Sequence, residues 1–181
     1  MGKRSDFPRR KNDLYITPEK AVLPLLPHLS PGTRFIEPCA GTGALIDHLE
    51  KHGHKCVGAW DIDPKRSDII QLDATCGACL PPTTIDYFIT NPPWTRQILH
   101  PIIDNLSSQA PTWLLFDADW MHNKHAQPYL KYCKKIISVG RVKWIEDSKA
   151  SAKDNAAWYL FEQASWADQY PHNGTIFINE R

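Results

Sequence analysis

No stretch of this chain is apolar for the roughly 18 residues that a bilayer crossing demands, and its first residues, MGKRSDFPRRK, hold no apolar core of the kind a secretory signal carries. The expectation is a soluble, cytoplasmic protein without a membrane partner. Repeats and low-complexity tracts are also missing. So is a dominant charge: the formal net value of +1 argues neither for nor against a polyanionic partner until its distribution is read. Cysteine is sparse and odd in number, five in 181 residues, which suits a reducing compartment better than a disulfide framework. Cys76 and Cys79 have CxxC spacing, yet no second CxxC follows. The nearest further ligands, His52, His54 and Cys56, fall at the start of one strand-like run, whereas Cys76 and Cys79 follow the end of the next. In a parallel sheet those are opposite edges, so no metal site is expected.

What is present is 42% apolar content, enough for one sizeable core in a domain expected over residues 13–181. Residues 1–12 read as a flexible basic arm, with five Lys or Arg against one Asp in residues 1–11. Residues 131–153 hold seven Lys or Arg against two acids. Both stretches are compatible with plain solvated surface or with a phosphate-bearing partner. Strand-like runs alternate with helical patterns, which predicts a parallel α/β sheet. The predicted strands are TRFIE (33–37), KCVGAWD (55–61), DIIQLD (68–73), IDYFIT (85–90), TWLLFD (112–117), KIISVGRVKWI (135–145) and AAWYLFE (156–162), with GTIFINE (174–180) as a candidate edge strand. Helices are predicted at ALIDHLEKHG, closed by Gly53, at TRQILHPIIDNLSS with an interruption at Pro101, and weakly at KHAQPYLKYCK.

The unusual segments all fall where strands end. EPCAGTG, DID, LDAT, NPPW and DADWMH follow the first five strands in turn, and ligands of open α/β sheets bind beyond those carboxyl ends. Gly41 and Gly43 permit a tight turn that brings a ligand against main-chain N–H groups. Ile46 stands where a dinucleotide fingerprint would place a third glycine, which disfavours a pyrophosphate ligand. Asp61 is suited to accept from both ribose hydroxyls, or merely caps its turn. Asp73 could face an adenine amine. Together these residues describe a pocket for a nucleoside without phosphates. In Asn91-Pro92-Pro93-Trp94 each proline locks its own φ and restricts the residue before it. The Asn91 side-chain oxygen and the Pro92 carbonyl would then converge as two acceptors beside the flat Trp94, an arrangement suited to a planar group bearing an NH₂.

EPCAGTGAL, WDIDP, LDAT and TNPPW, in that order, resemble the motifs of class I S-adenosylmethionine-dependent methyltransferases, specifically the amino-methyltransferases carrying [D/N]PP[Y/F/W]. YITPEKAVLPLL resembles the segment preceding the glycine motif in one arrangement of DNA adenine-N6 methyltransferases. The resemblance covers about residues 14–162. It implies a Rossmann-like fold with a seven-stranded, mostly parallel sheet, an antiparallel seventh strand and helices on both faces. It implies S-adenosylmethionine as cofactor, held by Tyr15, Thr17, Pro18, Glu37, Pro38, Cys39, Ala40, Gly41, Gly43, Asp61, Ile62, Asp73, Ala74 and Asn91. Asn91, Pro92, Pro93 and Trp94 would carry the chemistry, and the acceptor would be the N6 amine of an adenine swung out of DNA. Trp144 would stack on that base from the other side, or fill the core of its strand. Trp120, like His122, would line the target channel or pack beneath the loop. Arg141 and Lys143, with Lys149 and Lys153, would meet phosphates.

Unlike those enzymes, residues 13–181 are expected to form a single domain with no separate target-recognition region. Recognition is therefore expected from the arm, short loops, a dimer partner or another protein subunit. Such economy is reminiscent of phage methyltransferases, acting in the cytoplasm of a bacterium or an infected host. The other acceptors compatible with the motif are an RNA base amine and a protein glutamine amide. A binding partner that keeps the fold without catalysis is a further reading. The basic stretches favour nucleic acid, DNA before RNA.

Overall fold

The computed structural model of the chain describes residues 15–76, 84–144, 154–163 and 176–178. The basic arm, Cys79, Lys149 and Lys153 lie outside them. Among the described residues, eight strands form one sheet in the order β3-β2-β1-β4-β5-β7-β6-β8. They are β1 (Arg34–Glu37), β2 (Lys55–Asp61), β3 (Ile70–Gln71), β4 (Tyr87–Thr90), β5 (Thr112–Asp117), β6 (Cys133–Arg141), β7 (Asn155–Phe161) and β8 (Ile176–Ile178). The first five pair in parallel. β7 runs antiparallel between β5 and β6, as the seventh strand was expected to do. The eighth strand extends the expected seven, pairing parallel with β6 at the sheet's edge.

Period-two alternation explains why both faces of this sheet are covered. Phe35, Ile89, Trp113 and Leu115 bury into one core, while their neighbours Ile36, Phe88, Leu114 and Phe116 bury into the other. The first core is roofed by α1 (Glu19–Val22), the 3₁₀ segment Leu23–His28 and α2 (Ala44–Lys51), through Val22, Leu25, Leu45 and Leu49. Trp158 ties the N-terminal segment down by donating its indole N–H to the Ala21 carbonyl at 2.8 Å. The second core is roofed by α3 (Arg96–Ser107), whose Leu99, Ile102, Ile103 and Leu106 recur at helical spacing. Each fully buried large side chain contributes about 1.5–3 kcal/mol of hydrophobic stabilisation.

Several elements differ from their sequence-based expectation, and the strand expected over 135–145 is β6, which ends at Arg141. α3 passes through Pro101 without a break. The helix expected at 124–134 is a 3₁₀ turn, Lys124–Ala126, followed by the four-residue α4 (Gln127–Leu130). β3 keeps only two residues, both exposed, and the β2–β3 connection contains no helix. β1 lies between β2 and β4, so the chain departs from it in opposite directions on the two sides. Such a reversal opens a crevice beyond the strand ends.

Candidate active site

A cavity of about 270 Å³ occupies that crevice. Twelve of the expected cofactor residues line it: Tyr15, Thr17, Glu37, Pro38, Cys39, Ala40, Gly41, Asp61, Ile62, Asp73, Ala74 and Asn91. Pro18 and Gly43 do not. Pro18 is the residue that opens α1, with an extended backbone. Gly43 takes φ 79° at the N-terminus of α2, and a Cβ there would collide with the Arg66 guanidinium. Its left-handed φ, which L side chains rarely adopt, is what calls for glycine; the guanidinium passing close by is the movable end of Arg66, which bridges Asp47 at 2.8 Å and Asp68 at 2.7 Å. Arg66 escaped the sequence reading because nothing local announces that it crosses the glycine turn.

The glycine turn is fastened to the end of β2. Asp61 Oδ2 accepts the Gly41 N–H at 2.8 Å and Oδ1 accepts the Asp63 N–H at 2.8 Å. A carboxylate offers about four lone-pair positions, so Asp61 has acceptor capacity beyond these two bonds. Asp73 Oδ1 takes both the N–H and the hydroxyl of Thr75, each at 2.8 Å. Those bonds to its ionised form hold its pKa below the ordinary carboxylate value. Ile62, 55% exposed, and Ile98, 38% exposed, put apolar surface on the cavity wall. Ile98 and Ile102 were missed in the sequence, although their i, i+4 spacing directly after NPPW is a readable signal.

Glu37, at the end of β1, is 2% exposed, and its Oε2 is buried without a hydrogen-bond partner. Burial, reinforced by the Asp61 carboxylate, pushes its pKa well above the ordinary value, against the pull of Arg66 and the Ile46 N–H. Burying an unsatisfied carboxyl oxygen is costly. A cationic N–H donor in the cavity would relieve that cost, and the α-ammonium of S-adenosylmethionine is such a donor. The neighbouring Cys39 thiol is raised by burial and by Asp61, so it forms wall as a neutral thiol.

The NPPW motif is divided between wall and core. Asn91 and Pro93 line the cavity, Pro92 is buried, and Trp94 is half-buried against both cores. Asn91 Nδ2 donates to Thr17 Oγ1 at 3.1 Å, and the Trp94 indole N–H donates to Asn91 Oδ1 at 3.3 Å. The oxygen expected to meet a substrate amine thus already has a donor. Trp144 meets Trp94 edge to face, with ring centroids 5.5 Å apart and an interplanar angle of 87°. Without a base between them the rings are in contact, and Trp144 is half-buried against the first core. Trp120, expected either to line the target channel or to pack beneath the loop, is 7% exposed in the second core, where its indole donates to His100 Nε2 at 3.2 Å. Its strand-end position was read correctly, but Phe116, Tyr159 and Phe161 draw its ring inward. Arg141 and Lys143 are exposed at and just beyond the end of β6.

No family model matches the chain, and no curated protein matches it in sequence. Solved structures do match. A provisionally assigned RNA methyltransferase from Pyrococcus horikoshii aligns with a TM-score of 0.61 and 15% identity, over 84% of this chain and 88% of that one. A type I restriction-modification methyltransferase subunit from Streptococcus thermophilus aligns at 0.58 and 9% identity, over 91% of this chain but 47% of its own length. A dimethyladenosine transferase from Plasmodium falciparum aligns at 0.54 and 15% identity, over 87% and 65% respectively. What the chain shares with these proteins is the fold, the Rossmann-like methyltransferase sheet with antiparallel pairing near its C-terminal end.

Proposed function

We propose that the protein is an S-adenosylmethionine-dependent methyltransferase acting on the exocyclic N6 amine of adenine in DNA. The observation that carries this reading is the placement of the Asn91 amide on the wall of a cavity that also presents the glycine turn, Asp61, Asp73 and the uncompensated Glu37. In this reading Glu37 receives the ammonium of the cofactor, Asp61 the ribose, and Asp73 and Ile62 its adenine. When bound, S-adenosylmethionine would supply an electrophilic methyl group on its sulfonium, with a neutral thioether as the leaving group.

Asn91 is neutral and serves as no strong base. Its Oδ1 accepts a hydrogen from the amine and draws the nitrogen lone pair out of conjugation, while the rigid proline pair keeps that acceptor in place. The surplus proton leaves the methylated amine for water. Swinging a base out of a duplex costs a few kcal/mol, and stacking on Trp94 and Trp144, worth about 1–3 kcal/mol per aromatic contact, offsets much of it. Exposed Arg141 and Lys143 suit phosphates near the same edge.

Mass spectrometry of nucleosides from cells making the protein tests the assignment. The expected product is N6-methyladenine in DNA, absent when Asn91→Ala is made instead. That variant is expected to lose at least about 100-fold in transfer rate, the scale of a deleted preorganised electrostatic contact, with cofactor affinity changed only several-fold. The RNA methyltransferase and dimethyladenosine transferase among the structural neighbours keep an RNA base amine as the second reading. Methylated adenine confined to RNA would establish it, and transfer of an isotopically labelled methyl group from the cofactor to protein alone would defeat both.

A further inference from the structure

Resting on the amine-methylation reading, we propose that Thr17 is a positioning residue for Asn91: its hydroxyl takes the Asn91 amide N–H and thereby turns Asn91 Oδ1 toward the place the acceptor amine must occupy. The orientation of the amide follows from donor and acceptor chemistry. An indole N–H can only donate, so the Asn91 atom facing Trp94 Nε1 at 3.3 Å is the oxygen. The nitrogen therefore faces Thr17 Oγ1 at 3.1 Å, and the hydroxyl accepts. A flipped amide would set donor against donor at Trp94.

Thr17 is built for this task by residues far from Asn91 in the chain. It is 5% exposed and precedes Pro18, which confines it to extended backbone. The Ala21 N–H bonds the Pro18 carbonyl at 2.9 Å, and Trp158 holds the Ala21 carbonyl from the sheet below. The hydroxyl thus stands on a fixed support, 74 positions from its partner. In the free protein the Trp94 indole holds Asn91 Oδ1 in the role the amine takes later. The Trp94 and Trp144 rings touch, so an entering base parts them and replaces one N–H donor with another. Because Thr17 also lines the cofactor cavity, one side chain joins the donor pocket to the acceptor amide.

The test pairs Thr17→Val, which keeps the shape and removes the hydroxyl, with Thr17→Ser, which restores it. In the free ¹⁵N-labelled protein, Asn91 side-chain amide protons, assigned by their loss in Asn91→Asp, are expected to exchange slowly with water. Exchange speeds up in Thr17→Val and stays slow in Thr17→Ser. Losing one hydrogen bond of ordinary strength predicts a fall in kcat of about tenfold for Thr17→Val, with the calorimetric Kd for S-adenosylmethionine held within about threefold and with recovery in Thr17→Ser. Fast exchange in the wild type, or unchanged exchange in Thr17→Val, overturns the proposal whatever the protein methylates. Equal losses of kcat and cofactor affinity in both variants would make Thr17 cavity wall and nothing more. Absence of any methyl transfer with the exchange pattern intact would count against the function and leave the amide's support standing.

Discussion

Glu37 is the residue at which charge and burial conflict most openly. Its raised pKa means that in the free protein it keeps its proton to higher pH than an ordinary glutamic acid does. The stability it contributes is therefore fully present below the usual 4.5 of a glutamic acid and is lost as pH rises through the raised value. A ligand ammonium acts the other way, since it favours the ionised carboxylate. Binding must then release a proton and strengthen as pH rises across that window. Glu37→Gln keeps the volume and removes the charge. The variant is expected to be more stable than the wild type without ligand once pH exceeds the window, and to bind S-adenosylmethionine roughly 10- to 100-fold more weakly, the worth of one charge-assisted hydrogen bond. Calorimetry in buffers of different ionisation enthalpy reads the released proton directly. Equal proton release in wild type and variant would remove Glu37 from the ligand's charged end.

Helix α3 shows how an element can overrule its own sequence. Pro101 sits six residues into the helix and has no N–H to give the Gln97 carbonyl, a defect that costs about 3 kcal/mol in a helix interior. Burial of Leu99, Ile102, Ile103 and Leu106 outweighs it, which is why the interruption expected at Pro101 does not occur. Pro101 is exposed, so its ring is not needed for packing. Pro101→Ala is expected to stabilise the protein by about 1 kcal/mol or more, seen as a higher Tm, with cofactor affinity unchanged. A lower Tm would mean that the ring itself supports the helix. At 124–134 the outcome is opposite: Pro128 has no N–H to give the Lys124 carbonyl and falls in the first turn of α4, so the pattern breaks into a 3₁₀ turn and a four-residue helix although Ala126, Tyr129 and Leu130 pack on the second core. Apolar strand-like runs set between helical patterns and turns made β1, β2, β4, β5 and β7 readable in advance, and the strand-end rule made most of the cavity wall readable with them. Contacts between distant segments were not. Neither Thr17 on Asn91, nor Arg66 over Gly43, nor the inward turn of Trp120 leaves a periodic trace, because each depends on which strands become neighbours.

Across the whole molecule, the carboxyl edge of the sheet is electrically divided. Glu37, Asp61 and Asp73 stand at or beyond the ends of β1, β2 and β3. On that side Lys65 is paired with Asp63 at 2.7 Å, and Arg66 with Asp47 and Asp68. Arg141 and Lys143 stand exposed at the end of β6, on an edge that also holds Asp117 at the end of β5 and Asp154 before β7, and Asn91 follows β4 between the two zones. A net charge of +1 conceals this arrangement. A ligand carrying sulfonium and ammonium groups is favoured at the acidic end and a phosphate backbone beside Arg141 and Lys143, so the two would meet near Asn91. Each phosphate neutralised contributes about 0.9 to the slope of log affinity against log salt. The double variant Arg141→Glu/Lys143→Glu is expected to weaken duplex DNA binding strongly at low salt and to reduce that slope by about 1.8, the loss of two phosphate contacts. Cofactor affinity should not move, because neither residue lines the cavity. A salt slope equal to that of the wild type would place the nucleic acid elsewhere on the surface, and the division of charge along the edge would then serve the cofactor alone.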